Sequence, residues 1–178
     1  TPVHVYTNFD RVELFVNGKS AGIRTRGKLS WRLVWDDIVY QPGELTAVAL
    51  APDGSELARE TVRTASASAA LALSADRTEL AADGEDLAFI SVSIVDKDGT
   101  LQPSAEHSVR FEVTGVGSFA AAGNGDSTST ELFCAGSIKA FHGQCVCIVR
   151  AGTVPGRLRL TANAEGLPPA EMELEVKK

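Results

Sequence analysis

Apolar and polar positions alternate along most of the chain, in short runs separated by turn residues. Val12, Leu14 and Val16 share one face of a predicted strand, and Asn17-Gly18 follows at once. Asn-Gly supplies the positive φ angles of a type I′ turn, so residues 19–23 are predicted to return antiparallel. No segment carries a helical apolar stripe over three turns. The pattern therefore predicts β-strands throughout.

The rest of the first half contains three more predicted strands. Residues 29–35 place Leu29, Trp31, Leu33 and Trp35 on one face, which we interpret as a core face because four large apolar side chains are costly to expose. Residues 44–50 and 56–63 flank the turn Pro52-Asp-Gly54, whose residue types favour a tight reversal.

The second half repeats this pattern at greater length. Predicted strands cover residues 88–95, 109–113, 144–149, 158–162 and 172–176. On the last of these, Glu171, Glu173 and Glu175 are expected to be unpaired in water. Short strands with Gly, Pro and Asp turns indicate sandwiches, and the fold class predicted is all-β with two consecutive immunoglobulin-like domains.

A run of small residues from 64 to 70 marks the predicted boundary, near residue 66. Residues 1–66 carry eight basic and eight acidic groups, whereas residues 67–178 carry nine and fifteen. The net charge of −6 argues against nucleic acid or an anionic lipid surface as a partner. No apolar run approaches the roughly 20 residues of a membrane helix. The first residues show no leader features, and we expect the chain to be a trimmed fragment.

Three cysteines leave at least one thiol outside any intrachain disulfide. Cys145 and Cys147 lie two apart on a predicted strand, with parallel Cβ vectors that suit a disulfide poorly. Together with Cys134 and His142 they do not match any ligand spacing that is established for zinc sites. All three thiols are expected to be buried or half-buried apolar side chains, without redox or metal chemistry.

The candidate catalytic residues do not assemble into a recognisable reaction centre. A retaining glycosidase needs two carboxyl groups about 5 Å apart, one with a raised pKa. Turns or solvated strand surfaces better explain the three candidate sets of carboxylates, which are Asp36-Asp37, the loop 83–86, and the face of Glu171, Glu173 and Glu175. Turn chemistry also explains Asp96-Lys-Asp-Gly99 and Gly123-Asn-Gly-Asp126 better than calcium binding does. No catalytic residue, metal or cofactor is predicted.

Exposed aromatic side chains are the remaining candidates, because sugar rings stack on them. The predicted substrate-binding residues, none of which belongs to the expected core, are Tyr6, Phe9, Phe15 and Tyr40. The polar loop 123–131 could add hydrogen bonds to sugar hydroxyls.

Two stretches of the first half carry a family resemblance: 8–22 (Asn-Phe-Asp-Arg-Val-Glu-Leu-Phe-Val-Asn-Gly-Lys-Ser-Ala-Gly) and 35–43 (Trp-Asp-Asp-Ile-Val-Tyr-Gln-Pro-Gly). They resemble the small sandwich domain that follows the catalytic barrel in bacterial β-galactosidases of glycoside hydrolase family 2. Residues 80–99, 123–126 and 139–143 resemble the next domain of those enzymes. The order of the motifs also matches. The catalytic glutamates of that family lie in the barrel, and no residue of this chain matches their motifs.

The resemblance implies a non-catalytic C-terminal segment that packs on the catalytic domain of the same polypeptide, stabilises it, or shapes access to it. It also implies a bacterial enzyme of the periplasm or cell surface. Two alternatives stay open: a carbohydrate-binding module for a galactoside or polysaccharide, and immunoglobulin-like modules of a surface adhesin. The fold by itself does not choose between them.

Overall fold

The structure is a computed structural model that describes all of residues 1–178, and it contains strands but no helix. Two compact units divide the chain, Thr1–Thr64 and Ala65–Lys178. Each unit packs two sheets, antiparallel except for one strand pair of unit 2, around its own core. The prediction of an all-β, sandwich-like fold is confirmed.

Unit 1 has six strands: β1 (Val3–Tyr6), β2 (Arg11–Val16), β3 (Lys19–Thr25), β4 (Arg32–Trp35), β5 (Glu44–Leu50) and β6 (Glu56–Arg63). A four-stranded sheet in the order β3-β2-β5-β6 faces a two-stranded sheet of β1 and β4. Asn17 and Gly18 have φ angles of 50° and 76°, so the predicted hairpin turn forms between β2 and β3.

The core of unit 1 is small. Its buried residues come from both sheets and are Val12, Leu14, Leu33, Trp35 and Ala49. Trp35 is 2% exposed, and its indole Nε1 donates to the carbonyl of Gly22 at 3.2 Å. Its burial agrees with the expectation for the strand that carries it.

The predicted strand 29–35 is wrong in its first half. β4 begins only at Arg32, while Leu29 is 97% and Trp31 is 61% exposed. The Ser30 amide donates to the Gly27 carbonyl at 3.2 Å, so the chain turns where the apolar alternation suggested a strand. The period-2 pattern depends only on where apolar residues fall in the sequence, so it does not reveal this local turn.

Unit 2 has nine strands: β7 (Ala70–Ala75), β8 (Glu79–Ala81), β9 (Leu87–Val95), β10 (Ser108–Gly115), β11 (Gly117–Gly123), β12 (Ser137–Lys139), β13 (Gln144–Ala151), β14 (Gly156–Ala164) and β15 (Ala170–Lys177). A five-stranded sheet, β12-β10-β14-β15-β8, packs on a four-stranded sheet, β11-β13-β9-β7. Only β8 and β15 run parallel.

Side chains from the inner faces of both sheets fill the core of unit 2. Ile90 and Ile94 of β9 are fully buried, as are Leu158 and Leu160 of β14. The outer faces carry polar residues, so the period-2 pattern of the sequence corresponds to an inside and an outside. This core is several times larger than that of unit 1.

Candidate functional site

An open groove of about 240 Å³ lies in unit 1, between the end of β1 and the inner face of β5 and β6. Three alanines, Ala47, Ala49 and Ala58, form part of its lining. The two-stranded sheet is too narrow to cover the inner face of all four strands opposite, so this part of the sandwich stays open.

Two of the four predicted binding residues line this groove. Tyr6 is 72% exposed and Phe9 is half-buried. The Phe9 amide donates to Oγ1 of Thr7 at 3.0 Å, which fixes the short turn between β1 and β2. Glu60 of β6 supplies a charged group at the groove, whereas the Arg59 guanidinium is paired with Glu56 at 2.6 Å.

The other two predicted residues do not join them. Phe15 is half-buried and pairs with Thr46, on the face of β2 that carries Glu13. Tyr40 is exposed, and its hydroxyl lies 3.3 Å from Oγ1 of Thr64. The four aromatic residues therefore do not form one platform, and substrate binding by them stays a prediction.

An exposed tryptophan that was expected in the core lies on an arginine instead. The Arg26 guanidinium stands 4.5 Å from the ring centre of Trp31, and Arg26 Nη2 donates to Oδ1 of Asp10 at 2.8 Å. The Arg26 amide also donates to the Asp10 carbonyl at 2.7 Å. The cation–π contact holds the indole, which stays 61% exposed, and the ion pair holds the arginine.

The aspartates of the turns are occupied by backbone donors. Asp83 Oδ1 accepts from the amides of Glu85 and Asp86, both at 2.8 Å, and these bonds lower the pKa of Asp83. Amide hydrogen bonds from Ser66, Thr100 and Asp98 likewise lower the pKa of Asp96. A general acid needs a raised pKa, so these groups are turn-forming carboxylates.

The glutamates of β15 are paired, contrary to the expectation that they are free in water. Arg159 donates to Oε1 of Glu173 at 2.6 Å and lies 3.6 Å from Glu171, while Lys177 lies 3.1 Å from Glu175. The Arg159 hydrogen bond lowers the pKa of Glu173. Basic residues on the neighbouring strand β14 and on β15 itself explain the pairing, which sequence alternation along β15 alone does not reveal.

The cysteines differ from one another. Cys145 and Cys147 are buried free thiols, and burial raises the pKa of each to about 12. Cys134 is exposed, so its expected burial is wrong: it lies in the loop between β11 and β12 rather than on a strand. No cluster of three or more metal-ligating side chains occurs, and no helix could span a membrane.

The chain belongs to glycoside hydrolase family 2. Residues 71–173 match the family described as "Glycoside hydrolase family 2 C-terminal domain 5", and residues 1–58 match a domain of unknown function, DUF4982. Within the family the chain corresponds to an accessory, non-catalytic C-terminal segment. This membership confirms the resemblance predicted from the motifs.

Relatives extend the match to nearly the whole chain. The β-galactosidase BoGH2A of Bacteroides ovatus is 36% identical over 97% of this chain and 20% of its own length. A β-galactosidase of Thermoanaerobacter pseudethanolicus is 31% identical over 64% of this chain and 17% of its own length. A crystal structure of a family 2 member from Bacteroides cellulosilyticus superposes with a TM-score of 0.95 at 37% identity, covering 99% of this chain and 23% of that one. The chain thus spans about a fifth of the length of these relatives.

Sequence reasoning missed Trp31 and Glu60 as surface groups of unit 1. The Gly27 to Ser30 segment, with its turn-forming residues, was the available signal for Trp31. Nothing in the sequence of β6 indicates which of its residues face an uncovered groove, because that depends on how many strands the opposing sheet contains.

Proposed function

We propose that this chain is the accessory part of a β-galactosidase, in which it packs against the catalytic domain of the same polypeptide and stabilises it or shapes access to it. One observation carries the proposal: 97% of the chain aligns with only 20% of a named β-galactosidase. The remainder of such a polypeptide has room for a catalytic domain.

The carboxylates support a non-catalytic role for the chain itself. Wherever a carboxyl pKa departs from its ordinary value, it is lowered, and hydrogen bonds to amides, hydroxyls or basic side chains cause the lowering, as at Asp76, Asp126 and Glu173. Glycoside hydrolysis requires one carboxyl group that keeps its proton near neutral pH. We therefore expect catalysis to depend on residues outside these 178.

The experiment compares three proteins: the intact polypeptide, the polypeptide without this segment, and the 178-residue chain. We expect the intact protein to hydrolyse an aryl β-galactoside in preference to the matching β-glucoside, and the 178-residue chain to hydrolyse neither. The shortened protein should unfold at a lower temperature. An intact polypeptide without glycosidase activity would overturn the proposal.

A carbohydrate-binding module is the second candidate, and Tyr6 and Phe9 in the groove of unit 1 favour it. An exposed aromatic ring near a charged group suits a sugar ring and its hydroxyls. Affinity electrophoresis of the chain in galactan gels tests this function. Retention that Tyr6→Ala abolishes, and that Tyr40→Phe leaves unchanged, would favour the binding module over a purely docking role.

Export to the periplasm or cell surface of a bacterium is part of the same proposal, since it follows from the enzymes that the chain resembles. Fractionation of cells that make the intact polypeptide tests it. Recovery with cytoplasmic markers alone would contradict export without affecting the accessory role.

A further inference from the structure

The strand β1 has one free edge. It pairs only with β4, in the antiparallel register that sets Val5 opposite Leu33. The Thr7 amide donates to the Trp31 carbonyl at 3.0 Å, so odd-numbered positions point their backbone groups at β4. The N–H and C=O groups of His4 and Tyr6 therefore point away from β4, towards an edge that no strand of unit 1 occupies.

An uncovered sheet face lies beside this edge. Ala58 of β6 pairs with the buried Ala49 of β5, so the face of β6 that carries Ala58, Glu60 and Val62 is its inner one. All three residues are exposed. In a complete sandwich, the inner face of an outer strand is covered by the opposing sheet.

The groove between β1 and β6 has room for one more strand. Sheets pack about 10 Å apart and strands lie about 4.8 Å apart within a sheet, so a third strand beside β1 would lie over the inner face of β6. Tyr6 and Phe9 line one end of this groove. β1 carries no lysine, proline or bulge, the features that commonly protect a free strand edge from pairing.

We propose that an extended segment of the larger polypeptide pairs with the free edge of β1 and completes the two-stranded sheet of unit 1. The inference rests on the proposed function, because it takes the occupant from the same polypeptide. Most of the length of each relative lies outside the matched region, which makes such a segment available in cis.

The groove also defines the chemistry of the occupant. Its inward side chains meet Ala58 and Val62, so they are apolar and alternate with outward polar ones. Glu60 forms no ion pair or hydrogen bond within unit 1, and a lysine or arginine of the incoming strand matches its charge. Main-chain hydrogen bonds from His4 and Tyr6 fix the register.

Hydrogen exchange at single amides tests the pairing directly. In the intact polypeptide we expect the His4 and Tyr6 amides to exchange at least about 100-fold more slowly than in the 178-residue chain. The Val5 and Thr7 amides, which face β4, serve as internal controls, because β4 protects them in both proteins.

Two proline variants distinguish a loss of pairing at the free edge of β1 from a general loss of structure. His4→Pro removes a donor from the free edge of β1, and Thr25→Pro removes one from the outer edge of β3, where the register places the Thr25 amide away from β2. We expect His4→Pro to abolish the slow exchange of Tyr6 in the intact polypeptide. Thr25→Pro should leave that exchange unchanged.

Each other outcome overturns the inference. Equal exchange of His4 and Tyr6 in both proteins would mean that no strand pairs with β1. Protection that rises with the concentration of the 178-residue chain would identify a second copy as the occupant, and protection that needs added galactan would identify a glycan. Galactosidase activity of the intact polypeptide, measured separately, shows whether the proposed function stands when the pairing fails.

Discussion

Cys145 and Cys147 both lie on the inner face of β13, where they are buried. Cys134 is exposed. We expect a thiol reagent to modify one group rapidly in the native chain and all three after denaturation. Two rapid modifications would contradict the burial of β13, and Cys134→Ser, which should remove the rapid reaction, identifies the reactive group.

The same two thiols make stability depend on alkaline pH. Burial raises each pKa to about 12 in the folded chain, against about 8.5 in the unfolded one, so the folded state holds its protons longer. The contribution of these protonated thiols to the free energy of unfolding is complete below pH ~8.5 and is lost as the pH rises towards 12. Denaturant unfolding between pH 8 and 11 measures this. A Cys145→Ala/Cys147→Ala variant should show a shallower alkaline decline, and an unchanged decline would contradict the assignment.

Asp96 gives the opposite pH dependence. It is 4% exposed, and its carboxylate accepts from the Ser66, Asp98 and Thr100 amides at 2.8 to 2.9 Å. These bonds lower its pKa, so the stability that it contributes is present above pH ~4 and is lost as the pH falls below that. The Asp96→Asn variant should have a lower Tm than the parent chain at pH 7, and the two Tm values should converge near pH 2. A constant difference in Tm across this range would contradict the charge argument.

At the level of elements, the turn before β5 depends on Gly43. Its φ is 134°, and an added Cβ would lie 1.9 Å from Oδ1 of Asn17, which accepts from the Glu44 amide at 2.7 Å. Gly54 also has a positive φ, of 89°, but has open space around it. Gly54→Ala should cost about 1 kcal/mol and Gly43→Ala at least twice that, by chemical denaturation. Equal costs would show that the Asn17 contact is unimportant.

The strands that the sequence predicts best are those in which local and tertiary signals agree. β5 and β6 have the predicted bounds, since Pro52, Asp53 and Gly54 form a turn between two alternating runs. The segment before β4 was mispredicted because an arginine contact, rather than burial, holds Trp31. The groove beside β6 could not be predicted, because it follows from an opposing sheet of only two strands. Periodicity gives the face of a strand but not what lies opposite it.

At the scale of the whole molecule, the two units differ in how much core they contain. Unit 1 is Thr1–Thr64, and its buried core consists of five residues under an incomplete sandwich. Unit 2 is Ala65–Lys178, and two sheets of five and four strands enclose a continuous core. Domains near 60 residues bury a smaller fraction of their surface than longer ones and are correspondingly marginal.

We therefore expect residues 65–178, expressed alone, to unfold cooperatively with a high Tm, and residues 1–64 alone to be marginally stable. Trp35→Ala in the shorter piece removes its largest buried side chain, a loss of about 3 to 5 kcal/mol that should unfold it. Trp31→Ala is the matched control and should cost little, because that indole is exposed. Thermal unfolding by circular dichroism measures all four proteins. A piece 1–64 as stable as 65–178 would show that five buried side chains suffice, and would weaken the case that unit 1 needs a further strand from outside.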